Sequence, residues 1–313
     1  MKRSTVFLIN GGAGRVLCSI PALELYEQEN PNDDFVIIVE HGINFFKGHP
    51  TLYKRCFEFH HKNLFHDKIK DRVYKFPEPY QVWEYYNNLA TISQAFDIAI
   101  NNKGVRKLLP PTIVLSNSEL TGSIETINLI KKDKGNKKTI VFQPFGRGTN
   151  LHNTGIGVDT FGKSFFIGDV ATIIRSLQQQ YIVVLMCEHD INFKEAGYEN
   201  VDTAQITGLS LRQWFAIINA SDYFLGCDSV GQHAAFGLNK KATVILGSTF
   251  KENVSYPDYG GFDILDFGEG KKTYSPIRLC NDEVADLTNE SIMKLTTDQL
   301  NQVVQSVKTN IEE

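Results

Sequence analysis

The densest group of reactive side chains is Cys227-Asp228-Ser229-Val230-Gly231-Gln232-His233, which sets a carboxylate, a hydroxyl, a glycine and an imidazole in one short segment. Ser248 and Thr249 add hydroxyls a little further on. Such groups suit a ligand that carries an anion, because hydroxyls and the free N–H groups of a helix start both donate to it. A second candidate is Asn10-Gly11-Gly12-Ala13-Gly14-Arg15. Gly11, Gly12 and Gly14 permit close backbone approach, and Arg15 can hold a phosphate or carboxylate in a bidentate fork. A tight turn without a ligand and a solvent-exposed arginine are the competing readings. The spacing is not G-x-G-x-x-G, so no nicotinamide or flavin cofactor is inferred. Glu40-His41 forms a third candidate, since an imidazole beside a carboxylate can act as a general base near neutral pH. Loop residues that bond their own backbone would look the same. His49, His60, His61 and His66 lack the carboxylate or cysteine spacing of a metal site and read as surface residues.

These residues need elements to carry them. Ser210 with Gln213 makes a capping box, and Leu211, Trp214, Phe215 and Ile218 follow at the spacing of one buried helix face. Tyr223 to Gly226 reads as a buried strand that delivers Asp228 and Ser229 to its carboxyl end. A helix through His233 to Phe236 follows, with Gly237 placed to end it in the left-handed conformation. Thr243 to Gly247 is the next strand. Earlier, Thr5 to Ile9 is a strand, Val16 to Glu29 a helix and Phe35 to Val39 a strand that ends at Glu40-His41. The segment from Gly48 to Asn88, basic and aromatic, reads as an insertion on the acceptor side, able to grip a sugar or a nucleic acid. Phe96 to Ile100 is expected as a strand containing Asp97, and Ile113 to Leu115 as a short strand. Glu119 to Ile130 is expected as a helix, and the lysine-rich run from 131 to 138 as an exposed linker. The expected domains are therefore 1–135 and 136–313. In the second, strands are expected at Thr139 to Gln143, Tyr181 to Met186 and, more weakly, Val201 to Thr207. Asp169 is placed to cap a helix through Leu177. Helical segments are expected at Asp282 to Leu287 and Thr297 to Ile311, the last able to pack back on the first domain.

The chain has 313 residues, enough for two ordinary domains, and its 42% hydrophobic and 22% charged content is that of a globular protein. A net charge of -4 gives no global pull towards nucleic acid or an anionic membrane. Cys18, Cys56, Cys187, Cys227 and Cys280 lack C-x-x-C spacing, which fits reduced thiols and a cytoplasmic location. No apolar run approaches the length of a membrane span.

Two stretches resemble a known family. AGRVLCSIPALELYEQENP at 13–31 is similar to the "GDVL...PAL...P" helix of glycosyltransferase family 9, the heptosyltransferase group. LSLRQWFAIINASDYFLGCDSVGQHAAFGLNKKATVILGST at 209–249 resembles its "LSL...A..I..AD....DSG..H.A.A....P...LFG.T". FDIAINN at 96–102 is similar to its shorter "YDL.ID.Q". The resemblance implies an α/β GT-B fold, two Rossmann-like domains with a cleft between them, and a nucleotide-sugar donor in the C-terminal domain. Asp228 would bond sugar hydroxyls, and Ser229, Gly231 and the helix start would receive the diphosphate. His233 would face the same group, against the alternative of a polar residue satisfied inside helix packing. Glu188 would bind the ribose, and Arg147 and Thr149 would stabilise the departing diphosphate. Such charge stabilisation replaces a divalent metal, so neither metal nor cofactor is expected. The sequence departs from the pattern in two places. Arg15 stands where the family has the Asp taken as its base, leaving Arg15, His41, Glu40 and Asp97 as catalytic candidates. The family's Lys-x-Trp has no match in LHNTGIGVDTFGKSFF.

The expected function is transfer of a sugar from a nucleotide-diphosphate sugar to a hydroxyl acceptor, inverting and metal-independent. The partners are then a nucleotide sugar and a glycan acceptor. A hydroxylated DNA base is the alternative acceptor, which the acidic net charge disfavours. A non-catalytic nucleotide-sugar-binding protein is the alternative of another class, and a dehydrogenase a third.

Overall fold

The apolar run Thr5–Ile9 forms β1, and the glycines after it release the chain into α1, Ala13–Glu29. The structure is a computed structural model and describes residues 4–146, 149–151, 157–159, 162–272 and 291–313. It divides into two compact units, Met1–Ser116 and Asn117–Glu313.

In the first unit, β2 (Val36–Val39), β3 (Cys56–Glu58) and β4 (Val73–Lys75) join β1 in a parallel sheet of order β3-β2-β1-β4. α2 (Trp83–Tyr86) and α3 (Ile92–Asn101) follow. Val6, Val36 and Ile38 form a buried cluster covered by Phe57, Leu64 and Ile69. The aromatic segment expected as an insertion therefore supplies both edge strands and part of the cover of this sheet. Each of those strands is only 3 residues long, too short to show an alternating pattern in the sequence.

Two strand expectations are corrected here. Phe96 to Ile100 lies in α3, which Thr91 and Gln94 open with a reciprocal capping box. Ile92, Phe96 and Ile100 recur at helical spacing on its buried side. A short apolar run reads equally as strand or helix, and the cap upstream decides. Ile113 to Leu115 is extended without strand pairing.

The second unit contains α4 (Asn117–Lys134), β5 (Thr139–Gln143), a hairpin of β6 (Thr149–Leu151) and β7 (Gly157–Asp159), α5 (Ile167–Leu177), β8 (Ile182–Leu185) and β9 (Ala204–Gln205). It continues with α6 (Leu211–Ala220), β10 (Tyr223–Cys227), α7 (Val230–Gly237), β11 (Ala242–Leu246), α8 (Lys251–Val254), β12 (Phe262–Asp266) and α9 (Thr297–Glu312). Its parallel sheet has the order β12-β11-β10-β5-β8-β9. Read from β9, this is the 3-2-1-4-5-6 order of a doubly wound fold, which reverses direction between β5 and β10. The first unit reverses in the same way between β1 and β4.

The division falls before α4, not in the lysine run. Glu119 of α4 accepts both arms of the Arg212 guanidinium on α6, at 2.7 Å each, and so ties α4 to the second unit. Lys131 then pairs with Asp222 and Lys138 with Glu312, inside that unit. α9 also belongs there. Its Val303, Val307 and Ile311 join the core of the six-stranded sheet, and Lys138 donates to the Ile311 carbonyl at 2.8 Å. The last helix therefore covers its own unit's sheet. Two caps also differ. The left-handed residue after α7 is Asn239, not Gly237. Asp169 sits inside the first turn of α5 and accepts the Leu295 N–H at 3.1 Å instead of capping its helix. The Asp282 to Leu287 expectation lies outside the described residues. Among the described residues no helix is long and apolar enough to cross a membrane.

Candidate functional site

In the second unit β5 and β10 run side by side, and their carboxyl ends mark the reversal where open α/β sheets bind ligands. Gln143, the last residue of β5, reaches across to α7. Its Nε2 donates to Ser229 Oγ at 3.0 Å, and its Oε1 accepts the Gly231 N–H at 2.8 Å. A Cβ on Gly231 would lie 2.3 Å from Gln143 Oε1 and 2.5 Å from Phe224 Cζ. Glycine is thus required here by packing. The N–H expected to face a diphosphate is already held by Gln143.

Asp228 follows β10 and is buried, with Lys163 Nζ 2.7 Å from its Oδ2 and Gln232 Nε2 donating to its Oδ1 at 2.8 Å. Lys163 is held there from below. Asp159 accepts the N–H of Lys163 at 2.8 Å and of Ser164 at 2.6 Å, and Ser164 Oγ accepts the Gly146 N–H at 2.9 Å. A cation and a carboxylate therefore sit together beside the sheet reversal. Sequence reading missed Lys163. Its signal was Lys163-Ser164-Phe165, a Lys-x-aromatic with Phe where the family has Trp.

His233 is 5% exposed, and its Nδ1 lies 2.7 Å from the Tyr256 hydroxyl. Burial is the main cause that pushes its pKa down to about 4, against the opposing pull of Asp228, so the imidazole is neutral at neutral pH. Tyr256 is stacked on Phe236 with ring centroids 3.7 Å apart, which fixes its hydroxyl. This arrangement fits a histidine satisfied within helix packing. Close by in sequence, Gln232 Oε1, Thr249 Oγ1 and Ser255 Oγ are buried without a partner among the described residues.

Of the other donor-side candidates, Thr149 and Glu188 follow the carboxyl ends of β5 and β8. Thr149 donates to the Gly146 carbonyl at 3.0 Å and lies 2.8 Å from Ser164 Oγ, so its proton is used in shaping the turn. Glu188 is exposed just beyond β8. Arg147 lies outside the described residues.

The first unit's candidates separate into two groups. Gly11, at φ +94°, makes the turn after β1, Gly12 precedes α1, and Gly14 lies in its first turn. Arg15 does not offer an open fork. Both arms are on Glu78, at 2.9 and 3.0 Å, and its guanidinium faces Tyr80 and Phe96. This pair spans the reversal between β1 and β4. Asp97 is buried on α3, where its Oδ1 accepts from Arg106 at 2.8 Å and from Asn101 at 2.6 Å. Because the element is a helix and not a strand, Asp97 never reaches a strand end. Glu40 and His41 do, and both are exposed at the carboxyl end of β2. Among the clustered histidines, His49 is buried, accepting the N–H groups of Thr51 and Leu52 and lying 2.9 Å from Glu24. Its ring is therefore taken up by the chain itself.

No family model matches the sequence, and no curated protein matches it. Solved structures do match. Escherichia coli ADP-heptose lipopolysaccharide heptosyltransferase II aligns over 97% of this chain and 99% of its own, at TM-score 0.62 and 12% identity. A glycosyltransferase family 9 protein from Veillonella parvula aligns over 99% and 97%, at TM-score 0.67 and 11% identity. The chain has the fold of these glycosyltransferases. E. coli heptosyltransferase WaaC, solved with ADP, aligns over 98% and 99%, at TM-score 0.56 and 11% identity. At such identities the likeness establishes the GT-B fold, in which each unit is a parallel-sheet α/β unit.

Proposed function

We propose that the protein is a glycosyltransferase that moves a sugar from a nucleotide-diphosphate sugar to a hydroxyl acceptor, without a metal and with inversion at the anomeric carbon. The observation that carries this reading is the Lys163–Asp228 pair at the β5/β10 reversal. An acidic group suits sugar hydroxyls, and an ammonium suits a diphosphate that gains charge as the sugar departs. The structural neighbours include heptosyltransferases solved with ADP and with ADP-heptose, which are nucleotides of this class. In this reading the donor exchanges with the ion pair. Its diphosphate takes over the charge of Lys163, and a sugar hydroxyl donates to Asp228. Neutral His233 contributes a fixed ring and no charge. Direct displacement also needs a base for the acceptor hydroxyl. Glu40 and His41 are the candidates, since Arg15 and Asp97 are committed to ion pairs.

The Arg15–Glu78 pair favours a second reading, a protein that binds nucleotide sugars without turning them over, because a cation stands where the family has its base. Thermal shifts across nucleoside diphosphates and nucleotide sugars test the donor half, and release of nucleoside diphosphate separates the two readings. Asp228→Asn and Lys163→Met should each weaken donor binding about ten- to hundredfold, the worth of a hydrogen bond to a charged group. Wild-type affinity in both variants, or no nucleotide that shifts the melting temperature, would overturn the assignment.

A further inference from the structure

At the opposite end of β2 from Glu40 and His41 lies a separate cavity of about 350 Å³, lined by Asp34, Phe35, Val36, Lys54, Arg55, Phe57, Lys68 and Arg72. The backbone explains its place. Phe35 and Val36 start β2, Lys54 and Arg55 lead into β3, and Arg72 leads into β4, so three parallel strands begin around it. Strand β2 separates it from Glu40 by its length of 4 residues, or about 13 Å at the usual rise.

The charges lining it are unbalanced. Four cations, Lys54, Arg55, Lys68 and Arg72, meet one carboxylate, Asp34. Glu27 adds a partner for Arg55 from outside, at 3.0 Å. Asp34 is shared between both arginines, 3.2 Å from Arg55 and 3.8 Å from Arg72, and its side chain is 83% exposed. Pairs whose carboxylate is this exposed contribute about 0–1 kcal/mol each and exchange readily. Lys68 stands over the Phe57 ring, 3.8 Å from its centroid, and Lys54 has no carboxylate partner among the described residues. Asp34 therefore bridges the two guanidiniums, which are oriented by their other contacts, Arg55 on Glu27 and the Phe35 carbonyl and Arg72 on the Asp34 carbonyl, and two ammonium groups stand beside it.

We propose that this cavity is a binding site for a phosphate group on a small ligand, with the phosphate displacing the Asp34 carboxylate from Arg55 and Arg72. A phosphate has oxygens enough to take the guanidinium arms that Asp34 now bridges, and its second charge answers Lys54 and Lys68. A volume of about 350 Å³ suits a small molecule, such as a phosphorylated sugar. The site is independent of the proposed donor site, which lies in the other unit.

Isothermal titration with inorganic pyrophosphate and with glucose 6-phosphate tests this on the full chain. Pyrophosphate also probes the donor site, so each titration is repeated in Lys163→Met. Binding in the millimolar range or tighter is expected, at least tenfold weaker in Lys54→Glu/Lys68→Glu and several-fold tighter in Asp34→Asn, where the competing carboxylate is gone. Both variants change exposed or half-exposed side chains, and a circular dichroism melt confirms that they fold. Equal affinity in wild type and the double glutamate variant overturns the proposal, as does weaker binding in Asp34→Asn. Tighter binding of a single-stranded oligonucleotide than of either small phosphate also overturns it. If nucleoside diphosphates bind normally in the double glutamate variant, the two sites are distinguished.

Discussion

Gly231 shows how one residue type serves two different ends. A glycine at a helix start after a strand is the usual mark of close ligand approach, yet here Gln143 and Phe224 fill the space that a side chain would need. Gly231→Ala must move Gln143, and overpacking of this kind costs about 1–3 kcal/mol, measurable as a lower denaturant midpoint. His233 sets a pH dependence. Its folded pKa of about 4 lies below the ordinary 6.5, so between those values the unfolded chain binds more protons than the native one. Its contribution is full above pH 6.5 and falls as the pH drops towards 4, by roughly 3 kcal/mol. Urea unfolding of wild type and His233→Gln between pH 7 and pH 4 checks this, with a shallower loss expected in the variant.

At the scale of elements, capping boxes are the clearest punctuation in this chain. Thr91 with Gln94 opens α3, Ser210 with Gln213 opens α6, and Thr296 with Gln299 opens α9. Thr91→Ala and Ser210→Ala should each lower stability by about 1 kcal/mol, seen in thermal or denaturant melts. The Thr91 box was as legible as that at Ser210, and reading it would have turned the expected strand at Phe96 into a helix and taken Asp97 away from the catalytic candidates. In the second sheet β5, β8, β10 and β11 were legible because each is a largely apolar run, as a strand buried on both faces must be, whereas the half-buried β12, with Asp263 and Asp266, was not. β3 and β4 were not, since strands of three residues carry no period, and β9 is only the short paired part of the weaker run expected from Val201 to Thr207.

For the whole molecule, two sheets with separate buried clusters predict unfolding that is not all-or-none. Scanning calorimetry should resolve two transitions, with a bound nucleoside diphosphate raising only that of the Asn117–Glu313 unit. At a hundredfold excess over Kd the gain is about 2.7 kcal/mol. One transition that moves as a whole would show that the units melt together.

By itself the sequence determined the repeated strand and helix grammar, the two-unit α/β class, and the segment around Asp228. These follow from local pattern, because burial on both faces, helix periodicity and caps are written in neighbouring residues. What only the tertiary structure decided is who partners whom. Glu78 occupies Arg15 from 63 positions away, Gln143 holds Gly231 across 88, and Lys163 meets Asp228 across 65. Ion pairs and packing contacts of that range depend on strand order, and the reversal of each sheet, which sets that order, has no signature in any single stretch of the chain.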